Sequence, residues 1–153
     1  MRVITNYLFA IAGTLMMSGW ALLIINVLTR RFEFLRNSIA RLLIPLVLSG
    51  LYTALMVGFF VQGPGGYGSL QQVMLLFTTE EIALAGWIHY LAFDLFMGTW
   101  LVEQSQRDRV PSLVMLPVLF CTLMFGPSGL LAYYAILPLV RPAHAQIGVV
   151  HHD

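Results

Sequence analysis

Four long runs of this chain are apolar and almost free of charge, and they leave it few ways to fold. Val3 to Thr29 carries no charge, nor does Leu42 to Val61 between Arg41 and Gln62. Ile82 to Val102 lies between Glu81 and Glu103 and is interrupted by His89 and Asp94. Val110 to Val140 is uncharged between Arg109 and Arg141. About 20 such residues are needed to cross about 30 Å of hydrocarbon as a helix. Lipid offers the backbone no hydrogen bonds, so a spanning segment must pair its own backbone groups. A barrel would need ten-residue segments of alternating polarity, and Leu42-Leu43-Ile44-Pro45-Leu46-Val47-Leu48 does not alternate.

Composition agrees. Of 153 residues, 59% are hydrophobic and 10% charged, against about 25% charged in a typical soluble domain. That excludes a soluble enzyme, a disordered linker and a nucleic-acid binder, which would need a basic face. The net charge of +1 calls for no charged macromolecular partner. The single cysteine, Cys121, excludes an internal disulfide and any site built from paired cysteines; in its apolar run it reads as a small buried hydrophobe.

The expected fold class is therefore all-α, an integral membrane four-helix transmembrane bundle with a kinked fourth helix. One domain covers 1–140, with spans near 3–29, 39–61, 80–103 and 110–138, and 141–153 is a polar tail. The first run is far longer than a signal peptide's 7–15 apolar residues, and reads as a retained helix. Arg30, Arg31, Arg36 and Arg41 lie in the first connection, and Arg107 and Arg109 in the third; Arg2 and Arg141 lie on the other side. The bias of basic residues puts those connections in the cytoplasm and both termini and the second connection opposite.

The second connection, Gly63-Pro64-Gly65-Gly66-Tyr67-Gly68-Ser69, lacks the Lys-Ser/Thr pair and the preceding strand of a phosphate loop, and reads as a flexible turn. Leu70, Val73, Met74 and Phe77 then recur with helical spacing, predicting a short interfacial helix. Thr78 and Glu81 are spaced as a capping box, and Glu80 suits the positive end of the helix dipole.

His89 and Asp94 are less easily explained. Both lie within about 5 Å of the middle of the third span. A charge there costs roughly 2.5–3.5 kcal/mol, so such groups normally turn inward and find a partner. Five residues apart, they point about 140° away from each other and do not pair. Tyr90 is the i, i+4 neighbour of Asp94, so Glu80, Trp87, Tyr90, Leu91 and Asp94 form the expected cavity wall. Arg41 or Asn26 are the expected partners of Asp94 if it only clamps helices. In the fourth run Pro127 should kink the helix and free carbonyls near Leu123, while Gly126 and Gly129 allow close approach. Tyr52, Phe93 and Phe96 place flat rings in mid-span, where they suit a polyene or ordinary packing equally.

Gly86-Trp87-Ile88-His89-Tyr90-Leu91-Ala92-Phe93-Asp94-Leu95-Phe96, followed by Phe125-Gly126-Pro127-Ser128-Gly129-Leu130-Leu131-Ala132-Tyr133, resembles the abscisic-acid-deficient-four-like family. Those are small membrane proteins of plants, algae and many bacteria, the plant members associated with making neoxanthin from violaxanthin. The likeness runs from about Asn6 to Leu139. One departure is Thr99 before Trp100, where the family pattern often has an arginine, so Asp94 needs another partner here.

The resemblance implies an intramembrane carotenoid-modifying protein of a bacterial inner or photosynthetic membrane, an end-ring epoxide isomerase that needs no cofactor. A protonated Asp94 would be the acid, neutral His89 the base and Tyr90 the group orienting the oxygen. Trp87, Phe93, Phe96, Trp100, Tyr52, Ser128 and Tyr133 would hold the carotenoid. The alternative is a non-enzymatic pigment-binding or scaffolding subunit of a larger photosynthetic complex, with His89 ligating a chlorophyll magnesium. The expected partners are the bilayer, a lipophilic ligand and other membrane subunits; nucleic acid and a metal site are not expected. A proton-relaying transporter ranks third, since no internal repeat is apparent. His144, His151 and His152 in the tail read as solvated.

Overall fold

The structure, a computed structural model, describes residues 2–140; the tail, with its three histidines, lies outside them. Every element among the described residues is helical. In chain order these are α1 (Arg2–Thr29), α2 (Glu33–Leu35), a π-helix (Arg36–Leu43), α3 (Ile44–Phe59), α4 (Leu70–Leu76), α5 (Glu80–Arg107), α6 (Ser112–Phe125) and α7 (Pro127–Val140). Three helical stretches, Arg2–Thr29, Glu33–Phe59 and Glu80–Arg107, are long and apolar enough to cross a membrane.

The core forms where α5 packs against α3 on one side and α1 on the other. Trp20, Leu23, Leu48, Ile88, Leu91 and Leu95 are fully buried there. At the arginine-rich ends a π-helix of 8 residues, unusually long for that geometry, presents Arg36 inward. Arg36 is only 3% exposed. It donates to Asn26 Oδ1 at 3.1 Å and to Gln106 Oε1 at 3.2 Å, tying α1 to α5. Glu103 pairs with Arg41 and Arg107 beside it. Both expected partners of Asp94, Asn26 and Arg41, are therefore engaged elsewhere.

The expected kinked fourth helix is replaced by two helices of 14 residues each, about 21 Å long and too short to cross. Gly126 separates them with φ 51° and ψ −99°, a conformation that glycine adopts without the Cβ clash. Pro127 then starts α7, where a missing N–H costs nothing; Pro117 sits inside α6 without reversing it. The chain turns back on itself: Ser128 Oγ donates to the Cys121 carbonyl at 3.2 Å. A Cβ on Gly129 would overlap the Thr122 side chain. Tyr133 reaches Asp108, before the start of α6, at 2.6 Å. So α7 ends on the side where α6 begins, and not on the opposite side as the arginine pattern implied. Cys121 is half-buried.

Two smaller expectations also resolve. The interfacial segment is helical over Leu70–Leu76, and Ser69 caps it by accepting from the Gln72 amide at 3.3 Å. The capping box before α5 does not form. Thr79 occupies the cap without a side-chain bond, and Thr78 Oγ1 instead donates to the Leu75 carbonyl at 2.6 Å.

Candidate ligand site

The helical period of α5 puts Trp87, Tyr90 and Asp94 on one face and His89, Phe93 and Phe96 on another. The α6–α7 hairpin covers only one end of the first face, and its tip stops level with the middle of α5. Beyond the tip the flank of α1 and α5 is uncovered, and this leaves a notch.

Asp94 lies against the hairpin tip, 7% exposed. A Cβ on Gly126 would sit 2.7 Å from Asp94 Oδ1, so the absence of a side chain at the hairpin tip makes room for the carboxyl. Oδ2 has no hydrogen-bond partner among the described residues. A buried polar atom left unpaired costs about 1–3 kcal/mol; Trp20 Nε1 in the core is the other such atom among the described residues, and of the two only Asp94 can exchange a proton at neutral pH. The Tyr90 side chain neighbours the carboxyl at the hairpin tip, and its hydroxyl donates to the Leu123 carbonyl at 3.3 Å. Pro127, four residues after Leu123, has no N–H to offer that carbonyl. The expected freed acceptor is present, and it meets Tyr90.

Tyr90 stands between Asp94 and a cavity of about 570 Å³ bounded by Met16 and Met17 of α1, Gly86 and Trp87 of α5, Leu123 and Met124 at the hairpin tip, and Phe77. A second cavity of about 410 Å³ lies next to it along α5, with Ala83 and Trp87 lining both. Its outer end carries Asn6 and an ion pair between Arg2 Nε and Glu80 Oε1 at 2.9 Å. Trp87 stacks on Phe9 at 6.0 Å and on Tyr90 at 5.6 Å, both at 27°. The three rings form a continuous stack beside the two cavities. Leu91, expected on this wall, is core instead, at 1% exposure.

The structure does not bring His89 to this site. Its imidazole is exposed on the far side of α5, 4.7 Å from the Phe93 ring and 5.4 Å from Tyr52. The expectation that both mid-span groups turn inward holds for Asp94 and fails for His89. Phe93 and Phe96 line a separate groove of about 300 Å³ with Arg41, Pro45 and Ser49. Trp100 packs half-buried against the core. Ser128 and Tyr133 hold the hairpin and line no cavity described above. Sequence reasoning missed Phe9, Met16, Met17 and Phe77, apolar residues that nothing local distinguishes from packing. Among the described residues no cluster of His, Cys, Asp and Glu could hold a metal ion.

The model of one protein family, ABA DEFICIENT 4-like, matches residues 7–133. No curated protein and no solved structure matches the chain.

Proposed function

Because the chain belongs to the ABA DEFICIENT 4-like family, which is linked to neoxanthin synthesis, we propose that it is a membrane protein that handles a carotenoid-type lipophile in the notch. The observation that carries this reading is the buried Asp94 carboxyl behind Tyr90, its Oδ2 without a hydrogen-bond partner among the described residues, next to an apolar cavity lined by Trp87 and Tyr90. A soluble substrate would not need cavities this apolar; a polyene packs against the Trp87 and Tyr90 side chains that line them.

The finer reading is an end-ring epoxide isomerase. Opening the epoxide places a proton on its oxygen, and a proton leaves the adjacent polyene carbon. The product is an isomer, so no redox cofactor is consumed. Tyr90 touches the ligand and gives its proton to the epoxide oxygen as the ring C–O bond breaks; its phenolate then takes up the proton that leaves the polyene carbon, which restores Tyr90, while Asp94, held behind it, positions the hydroxyl. This revises the roles expected from sequence, because His89 is on the wrong face to be the base. Positioned proton transfer of this kind is worth roughly 10²–10⁴-fold. The test is co-expression with an epoxy-carotenoid pathway and analysis of the extracted pigments. Absence of conversion by the unaltered chain overturns the isomerase reading, and conversion that survives intact in Asp94→Asn overturns the role given to Asp94.

One observation favours a second reading. His89, Tyr52 and Phe93 form an outward-facing ring cluster, and a neutral imidazole there can ligate the metal of a tetrapyrrole. Stoichiometric pigment lost on His89→Ala would support a pigment-binding subunit.

A further inference from the structure

Independently of the notch, we infer that the groove lined by Phe93 and Phe96 holds one anionic phospholipid, with its phosphate on Arg41 and an acyl chain lying between α5 and α3. Three observations lead there.

The first is shape. Leu42, Leu46 and Ser49 follow at helical spacing along one wall, and Ala92, Phe93 and Phe96 form the other. Leu46 and Phe93 stand out at 59% and 60% exposure, whereas the small Ala92 between the helices is buried. A small residue between large ones leaves a furrow, and the Phe93 ring is backed by His89 at 4.7 Å.

The second is polarity. Among the described residues, Arg41 is the one charged side chain that lines the groove. From Arg41 to Ser49 is eight residues of helix, about 12 Å at most, against roughly 30 Å of hydrocarbon. Starting at the arginine-rich end, the groove stays within the leaflet on that side. It is charged at one end and, apart from the Ser49 hydroxyl, apolar along its length, which matches a single lipid.

The third is charge. Arg41 and Arg107 share the one carboxylate of Glu103, so the cluster keeps a net positive charge. Only Nη1 of Arg41 donates to Glu103, which leaves Nε and Nη2 for phosphate oxygens. The same end carries Arg30, Arg31, Arg36 and Arg109 against Glu33 and Asp108, so the surrounding field also favours an anion. A zwitterionic lipid would bring its own cation into that field. A free anion would gain nothing from the apolar walls.

The test titrates the full chain in detergent micelles with phosphatidylglycerol and phosphatidylcholine of identical acyl chains, and counts bound lipids by native mass spectrometry. Phosphatidylglycerol should bind at one site about tenfold more tightly than phosphatidylcholine. Arg41→Gln should erase that preference. Leu46→Trp fills the groove at an exposed position without altering a charge, and should weaken phosphatidylglycerol about tenfold. Arg2→Gln, at the cation beside the notch, should leave the preference unchanged. Equal binding of the two lipids by the unaltered chain overturns the inference. So does a preference that persists in Arg41→Gln, or full binding in Leu46→Trp. Loss of the preference in Arg2→Gln would move the lipid to the notch, and displacement by inorganic phosphate would remove the acyl chain from the groove; either overturns the assignment. None of these outcomes bears on the carotenoid reading.

Discussion

The Tyr133 hydroxyl donates to the Asp108 carboxylate at 2.6 Å, across 25 residues of sequence. Asp108 directly follows α5 and precedes α6, whereas Tyr133 is halfway along α7. The bond is made only if α7 runs back beside α6. The notch exists because this hairpin stops halfway along α5.

The first prediction concerns sidedness. A hairpin that enters and returns places the end of α7 on the same side as Arg107 and Arg109. A cysteine-reactive reagent that cannot cross membranes should label a probe after Val140 and a probe at Arg109 from one and the same side. Labelling from opposite sides would mean that the fourth run crosses.

Tyr133→Phe removes a part-buried hydrogen bond to an acidic side chain. Such bonds contribute about 1.5–3 kcal/mol, so thermal unfolding in detergent should occur several degrees lower. An unchanged midpoint would show that the hairpin does not depend on this bond.

Gly126→Ala puts a side chain at φ 51° and against Asp94 Oδ1. Backbone strain alone costs about 1–3 kcal/mol. Part of the loss is steric, so Asp94→Ala should recover some of it. A double-mutant cycle should give a coupling of about 0.5 kcal/mol or more, and strict additivity would separate the two residues.

Among the polar residues of α5, Asp94→Asn and Tyr90→Phe should lower pigment conversion by roughly 10²-fold or more. His89→Ala should leave it within a few-fold, because its ring faces away from the notch. A loss in His89→Ala equal to that in Asp94→Asn would contradict the separation of the two faces.

Filling the notch should block binding without touching the polar residues. Met17 is 56% exposed on the notch wall, so Met17→Trp should be tolerated in folding and should abolish polyene binding. Retained binding would place the ligand elsewhere.

By itself the sequence determined that the chain is helical and apolar, that Asp94 is an anomaly, and that Trp87, Tyr90 and Asp94 share a face from which His89 is turned away. These follow from local physics: a backbone must pair its own hydrogen bonds where water is scarce, and a helix fixes each side chain's angle about its axis. Only the tertiary structure decided what covers each face. One glycine torsion at Gly126 turns an expected kink into a reversal, and that choice depends on distant contacts such as Tyr133 with Asp108 and Gly129 with Thr122. The angle of His89 was legible, but its exposure was not, because burial belongs to the neighbouring helices. For the same reason Arg36 could be counted among the connection's charges, while its burial between Asn26 and Gln106 could not.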